Sequence, residues 1–504
     1  MNPDKTMIIF GPPGTGKTTN LLSTVWSLIE EGIAPKDICF IAFTRKAAQE
    51  ARVRAAQQFS LEDEELRWFR TMHSLAFQQL NSRRDQVMGI KDYLNLCNEL
   101  GLIITTKLNA EEGTFGGLTR GDKLFFAENM ARAKMVELKE YWDSIPDEDI
   151  AWYELKRLRE SLENYKKAND KVDYTDIIYG FIGRGVVPNF KALIIDEAQD
   201  LSALQWKMAD KLAESAERVF VAGDDDQAIF RWAGADTGHL IELGGERKVL
   251  GQSYRVPKKV QEVALSVVGR IEIRVPKVWS SRNTEGVVDY ISDVTEIEMN
   301  NGTWLLLARN GYMLDYYVQH CLREGLIFEA PDSPISSNMF RAIIAWEKLR
   351  AGETVPVSLI KHMYDLMTTR VGVTYGFKGK FDELPDKRAF TLQELKEHWG
   401  LRRQQHESWD IVLDKMPAVD VEYFSVALQK GERLQEPRIR ISTIHSVKGA
   451  EADNVVLQLD MADRTWNEYT KFPDDEHRVW YVAVTRAKER LVILSPKTNK
   501  SYPL

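Results

Sequence analysis

The stretch that most constrains this chain lies close to its N-terminus. Met7-Ile8-Ile9-Phe10 reads as a short buried strand, Gly11-Pro12-Pro13-Gly14-Thr15-Gly16-Lys17-Thr18 follows, and Leu21, Leu22, Val25, Leu28 and Ile29 then recur at helical spacing. This is G-x-x-x-x-G-K-[ST] in the strand–loop–helix setting its chemistry needs. Glycines let backbone N–H groups close around a phosphate, and the helix N-terminus adds its positive end. The spacing predicts a nucleoside triphosphate site, with Lys17 on the β- and γ-phosphates and Thr18 on Mg2+. A strand feeding a helix in this way also points to an α/β sheet.

A second stretch completes such a site. Ala192-Leu193-Ile194-Ile195 reads as a buried strand ending in Asp196 and Glu197. Asp196 is placed to hold Mg2+ and Glu197 to orient or deprotonate an attacking water. The plainer account, a carboxylate pair capping a helix, weakens once a phosphate loop stands in the same chain. A third stretch, Ala222 to Asp236, follows the apolar run Val219-Phe220-Val221-Ala222. It carries Gln227, able to reach a terminal phosphate, with Phe230 and Trp232 just beyond. Rings there stack on unpaired bases with about 1–3 kcal/mol per base, although two core aromatics after a strand would look the same.

The outer limits are ordinary for a globular protein: 504 residues, 44% apolar, 28% charged, net charge −8. The acidic balance excludes a globally basic nucleic-acid binder, so any strand contact must rest on local patches and stacking. Cys39, Cys97 and Cys321 lie far apart and form no C-x-x-C, which leaves no case for a zinc or iron–sulfur site. A reducing, cytoplasmic location is expected. No apolar run approaches a membrane span, and the first strand begins too early for a signal peptide.

Strand and helix patterns alternate over residues 1–75, including Ile38-Cys39-Phe40-Ile41-Ala42-Phe43 and a helix from Arg45 to Arg54. Residues 76–172 turn helical and charged, and strands return near Lys191. The pattern then repeats: strands at Val287–Ile291 and Thr303–Ala308, a helical stretch over 335–435 with a loop at Gly376–Lys380, and strands at Ile439–Thr443, Asn454–Leu459 and Arg490–Leu494. The division expected is a first α/β domain of 1–75 and 173–250 carrying the insertion 76–172, and a second of 251–334 and 436–504 carrying 335–435.

The second α/β domain lacks a phosphate loop but holds Gln252-Ser253-Tyr254-Arg255, His445-Ser446-Val447-Lys448-Gly449-Ala450-Glu451 and Tyr481-Val482-Ala483-Val484-Thr485-Arg486-Ala487-Lys488. With Gly11–Thr18, Phe43-Thr44-Arg45-Lys46-Ala47-Ala48, Thr71-Met72-His73-Ser74, Asp173-Tyr174-Thr175-Asp176, Asp196–Asp200 and Gly223–Ala235, these occur in an order that resembles superfamily 1 helicases of the UvrD/Rep/PcrA family along nearly the whole chain. The resemblance implies two RecA-like parallel-sheet domains, each with a helical insertion, using ATP and Mg2+ to move 3′→5′ on single-stranded DNA and unwind duplexes. It implies that Gln227 and Arg255 contact the γ-phosphate and that Arg486 is an arginine finger. Tyr254 would stack on adenine, Glu451 would lie near the ribose, and Gly449, Gly11, Gly14, Thr15, Gly16 and Thr19 would complete the ATP site. Phe43, Phe230 and Trp232 would stack on bases, while Thr44, Thr71, His73 and His445 would hold the DNA backbone. Single-stranded DNA and its junctions with duplex are the partners expected, and a monomer the state.

The chain departs from that pattern in places. No Gln precedes Met7, and Thr19 stands where the family usually has Arg, which leaves adenine selectivity open. Ala233 follows Trp232 in place of a basic residue, and the 335–435 insertion is short. The chain is expected to be a compact motor without nuclease domain or long C-terminal extension. Two other functions stay open. One is a translocase that strips proteins from DNA without separating strands. The other is a nucleotide-switched binding module, whose signature would be loss of Glu197 or Arg486, both present. RNA also stays open as a track, since stacking does not read the 2′-OH.

Overall fold

The computed structural model describes residues 1–105, 108–109, 114–115, 119–145, 150–331 and 333–504. Parts of the 76–172 insertion therefore lie outside the described residues. The chain forms two compact units, Met1–Glu285 with Asn467–Thr485, and Gly286–Trp466 with Arg486–Leu504.

The first unit is built on a six-stranded sheet in the order Phe69–Arg70, Ile38–Ile41, Ala192–Ile195, Arg218–Gly223, Thr6–Phe10, Glu246–Val249. All five pairings are parallel. Parallel strands covered on both faces read as continuous apolar runs, and the burial here alternates residue by residue. Ile8, Phe10, Cys39, Ile41, Leu193 and Ile195 enter one core. Their neighbours Ile9, Ile38, Phe40, Ala192 and Ile194 enter a second on the opposite face. The insertion has its own core, where Tyr93, Leu96, Leu124, Phe125, Leu155 and Leu158 pack together.

Ion pairs tie that insertion to the sheet domain. Arg132 meets Asp173 at 2.7 Å, and Lys166 meets it at 2.9 Å. Burial alone would raise the Asp173 carboxyl, but Arg132 and Lys166 hold it well below the usual range. Asp173 also accepts the Asp176 N–H at 2.8 Å, capping the helix Tyr174–Arg184.

The second unit has a six-stranded sheet in the order Phe328–Glu329, Ile439–Thr443, Trp304–Ala308, Ala452–Gln458, Ala487–Leu494, Val287–Ile291, again all parallel. Here sheet and insertion share one core: Leu306, Ile441 and Val456 join Ile343, Trp346, Tyr364 and Phe424. The stretch 335–435 is not wholly helical. Val355–Pro356 and Ala389–Phe390 pair as short antiparallel strands. The Gly376–Lys380 segment turns at Gly376 (φ +85°) and enters a 3₁₀ turn at Lys378–Phe381.

Two segments counted with the second α/β domain in the sequence pack within the first unit. Residues 251–285 lie against the phosphate loop, and the helix Pro473–Val484 lies against the Gln227 segment. Neither is a strand of either sheet, so hydrophobic periodicity says nothing of which sheet it joins. No helix among the described residues is long and apolar enough to cross a membrane.

Candidate nucleotide and nucleic-acid sites

The phosphate loop is closed by its own lysine. Lys17 Nζ donates to the Gly11 carbonyl at 3.0 Å and stands 3.9 Å from Glu197 Oε1. A Cβ at Gly11 would fall 1.9 Å from Lys17 Cγ, so any side chain there would displace the lysine. Thr15 Oγ1 donates to the Pro12 carbonyl at 2.8 Å, and Gly16 caps the helix Lys17–Glu30 in the left-handed region.

The helix then presents Thr18, whose hydroxyl donates to Asp196 Oδ2 at 2.9 Å. Burial and the neighbouring Glu197 push the Asp196 carboxyl up to about 6, against the pull of Lys17 and Thr18. Glu197 has φ +54°, a conformation uncommon outside glycine. Gln199 donates to Glu197 and accepts the Asp224 N–H at 3.0 Å, joining the ends of two neighbouring strands. One hydroxyl and one carboxylate side by side fit a Mg2+ ion that takes its remaining ligands from phosphate and water. Among the described residues no group of three or more His, Cys, Asp or Glu gathers to hold a metal by itself.

Residues 253–255 lie directly on this loop. Ser253 Oγ donates to the Pro13 carbonyl at 2.7 Å and the Tyr254 N–H to the Gly14 carbonyl at 2.8 Å. A Cβ at Gly14 (φ +72°) would stand 2.4 Å from Arg255 Cβ. Arg255 is thus brought to the loop, and the Tyr254 ring beside it is 72% exposed. Thr19, on the first turn of the helix, accepts a hydrogen bond from Arg54 Nη2 at 2.9 Å. Gln227 ends the 3₁₀ turn Asp225–Gln227 and donates from Nε2 to Asp224 Oδ2 at 2.5 Å.

All the residues expected on DNA except His445 lie elsewhere on the same unit. Phe43, Thr44, His73 and Phe230 line one cavity. The Phe43 and Phe230 rings stack with centroids 6.2 Å apart, and Trp232, 53% exposed, stands 6.4 Å from both Phe230 and Phe126. Thr44 and Thr71 cap the helices Arg45–Phe59 and Met72–Gln79, accepting N–H groups of Ala47 and Ser74. Each hydroxyl keeps its proton to give to an anion. Burial, and then Arg45, push His73 down to about 4. Its ring is a neutral donor near pH 7, not a cation.

On the second unit, His445 opens a 3₁₀ turn and Gly449 has φ +85°. Glu451 pairs with Lys488 at 2.7 Å. Arg486 is 2% exposed and donates to the Ala450 carbonyl at 3.2 Å.

Sequence reading missed the counter-ions of the Gln227 segment. Asp224, Asp225 and Asp226 are fully buried. Lys277 Nζ reaches all three, with Asp224 at 3.0 Å and Asp226 at 2.8 Å, and Arg274 binds Asp226 through two nitrogens at 2.7 and 2.6 Å. Arg478 donates to the Asp225 carbonyl at 2.9 Å. The signal was available: three carboxylates at the end of a buried strand require cations.

Comparison with known proteins agrees with this geometry. The model of the UvrD/REP helicase N-terminal domain matches residues 1–246, and that of the UvrD-like helicase C-terminal domain matches residues 421–498. The ATP-dependent DNA helicase PcrA of Bacillus subtilis (strain 168) is 26% identical over 310 residues, covering 56% of this chain and 40% of that protein. That of Leuconostoc citreum is 25% identical over 318 residues, covering 58% and 41%. A probable DNA helicase II homolog of Rickettsia conorii (strain ATCC VR-613 / Malish 7) is 24% identical over 622 residues, covering 98% and 91%. The chain thus spans only about two fifths of the length of the PcrA relatives it matches. Between them the two domain models account for well over half of the chain, and the chain belongs to the UvrD/REP helicase family.

Proposed function

We propose that this chain is an ATP-dependent DNA helicase that moves 3′→5′ along single-stranded DNA and separates duplexes at single-strand/duplex junctions, acting as a monomer inside the cell. The observation that carries the proposal is the hydrogen bond from Thr18 to Asp196 with Lys17 and Glu197 beside it. That cluster supports hydrolysis of a bound nucleoside triphosphate. Lys17 would position the β- and γ-phosphates. Glu197 would orient the attacking water and take its proton. Thr18 and Asp196 would hold Mg2+, which when bound neutralises charge on the phosphate oxygens. Gln227 and Arg255 would sense the γ-phosphate, and Arg486 would serve as the arginine finger, a role worth roughly 10³–10⁵ in rate. Tyr254 would stack on the base, with Gly449 and Glu451 completing the nucleotide site. The aromatic set of Phe43, Phe230 and Trp232 supports single-strand binding by stacking, with Thr44, Thr71, His73 and His445 on the backbone.

The test is ATP hydrolysis with and without single-stranded DNA, followed by unwinding of duplexes tailed at either end. Hydrolysis stimulated by DNA and unwinding of the 3′-tailed duplex are expected. Stimulation without unwinding of either substrate would leave a translocase, and preferential unwinding of the 5′-tailed duplex would reverse the direction.

A further inference from the structure

The Gln227 segment is held by a cation that the proposed hydrolysis does not use. Lys277 lies outside the helicase motifs recognised in the sequence, yet its side chain is 1% exposed and its ammonium faces three consecutive carboxylates. A buried ammonium is costly unless it is paired and hydrogen-bonded, so its place is set by what surrounds it. The division of Asp224 between partners is specific. One carboxylate oxygen, Oδ1, takes Lys277 at 3.0 Å and the Asp226 N–H at 3.3 Å. The other, Oδ2, takes the Gln227 carboxamide at 2.5 Å. The group that grips Gln227 is therefore itself gripped by Lys277. Arg274 occupies both oxygens of Asp226, and the Val275 N–H donates to Asp225 at 2.8 Å. The chain around Lys277 is thereby bound to the same turn. On its other side, the Asp225 carbonyl accepts from Arg478 on the helix Pro473–Val484.

We propose that Lys277 is a positioning residue for the phosphate sensor: it braces Asp224, Asp225 and Asp226 from behind so that Asp224 presents the Gln227 carboxamide in one fixed orientation. The inference rests on the hydrolytic role proposed above for Gln227. Lys277 touches no nucleotide atom in this scheme and acts only through Asp224. Without the ammonium, three adjacent carboxylates repel one another and Asp224 loses its fixed geometry, while the phosphate loop keeps its own contacts. The loss then falls on turnover and not on nucleotide binding.

The experiment compares wild type, Lys277→Met and the double variant Lys277→Met with Asp225→Asn. The double variant removes one charge of each sign, so the buried cluster keeps its net charge while Asp224 loses its brace. The readouts are thermal melting, KM for ATP and DNA-stimulated kcat. The double variant is expected to melt near wild type and to keep KM within about three-fold, with kcat reduced by about ten-fold or more, the size of effect that misplacing a reacting group produces. Wild-type kcat in a folded double variant overturns the inference, as does a rise in KM that matches the fall in kcat. Loss of cooperative melting in both variants makes Lys277 a purely structural ion and also overturns it. A wild-type chain without DNA-stimulated hydrolysis sinks the functional proposal and this inference together, whereas an active wild type with an equally active double variant sinks the inference alone.

Discussion

Trp232→Ala separates a ring that stacks on DNA from a ring that fills a core. The two roles predict different magnitudes. A fully buried Trp cut to Ala costs about 3–5 kcal/mol of stability. Trp232, however, is 53% exposed, and its aromatic neighbours Phe230 and Phe126 stand 6.4 Å away. About half of such a side chain is on the order of 100 Å² of buried surface. At about 25 cal/mol per Å² that is roughly 2.5 kcal/mol as an upper bound, since an unfolded chain already buries part of it. In a unit of this size the melting temperature should drop by only a few degrees. Stacking on one base is worth about 1–3 kcal/mol, equivalent to a rise in Kd of roughly 5- to 150-fold. Anisotropy of a labelled oligothymidine measures that rise, and a melting curve with basal ATP hydrolysis on the same preparation measures the rest. The expected pattern is weaker single-strand binding, a small thermal shift and unchanged basal hydrolysis. Wild-type affinity for the oligonucleotide would refute stacking. Joint collapse of folding, basal hydrolysis and binding would return Trp232 to the core.

Other perturbations probe the remaining parts. Lys17→Ala should abolish hydrolysis, and Glu197→Gln should retain nucleotide binding while losing turnover, because an amide cannot accept the proton; a wild-type rate in Glu197→Gln would remove Glu197 from that role. Arg486→Ala should lower DNA-stimulated kcat by roughly 10³-fold with nucleotide affinity within a few-fold, since a finger acts on transition-state charge; equal losses in affinity and rate would make it a plain binding residue. His73, held near 4 in the folded chain, takes up a proton more readily when unfolded. The unfolded state therefore binds more protons between about pH 4 and 6.5, and stability should be full above 6.5 and fall as the pH is lowered through that window. The full shift, from about 6.5 to about 4, sets an upper bound on the order of 3 kcal/mol. Denaturant titrations across that range should show the slope, and His73→Gln should flatten it.

The chemistry carried by contiguous residues was readable from the chain, because each motif names its own local structure. The strand before the loop, the helix after it and the carboxylates at the end of Ala192–Ile195 follow from apolar runs and the residues that end them. Of the four sheet edges only Val287–Ile291 was readable, as an apolar run. Phe69–Arg70 and Phe328–Glu329 are two residues long, and Glu246–Val249 is a charged, exposed edge strand with no apolar alternation. Unit membership was also hidden for residues 251–285 and for the helix Pro473–Val484. Their attachment runs through scattered polar contacts between distant residues, among them Ser253 on Pro13, Tyr254 on Gly14, Lys277 on the three aspartates and Arg478 on Asp225, which leave no periodic trace.

The same limit explains why a departure at one position is a poor guide to the chemistry of a site. Thr19 breaks the family pattern of an arginine after Gly-Lys-Thr, and judged along the chain the guanidinium is simply missing. In space a guanidinium does meet Thr19 itself. Arg54, 35 residues later on the helix Arg45–Phe59, places its Nη2 on the Thr19 hydroxyl at 2.9 Å. The buried carboxylates work in the same way: Asp225 and Asp226 look unpaired along the chain, while their cations arrive from Lys277 and Arg274, about fifty residues on. A motif specifies which groups a reaction needs, and folding specifies which residues supply their charge. For a long side chain such as Arg or Lys, several backbone positions can deliver the same cation to one point, so the charge around a site cannot be read from one position alone. The unmatched residues near a recognised motif, Thr19 above all, are therefore best judged by the cations and carboxylates that surround them in the folded unit.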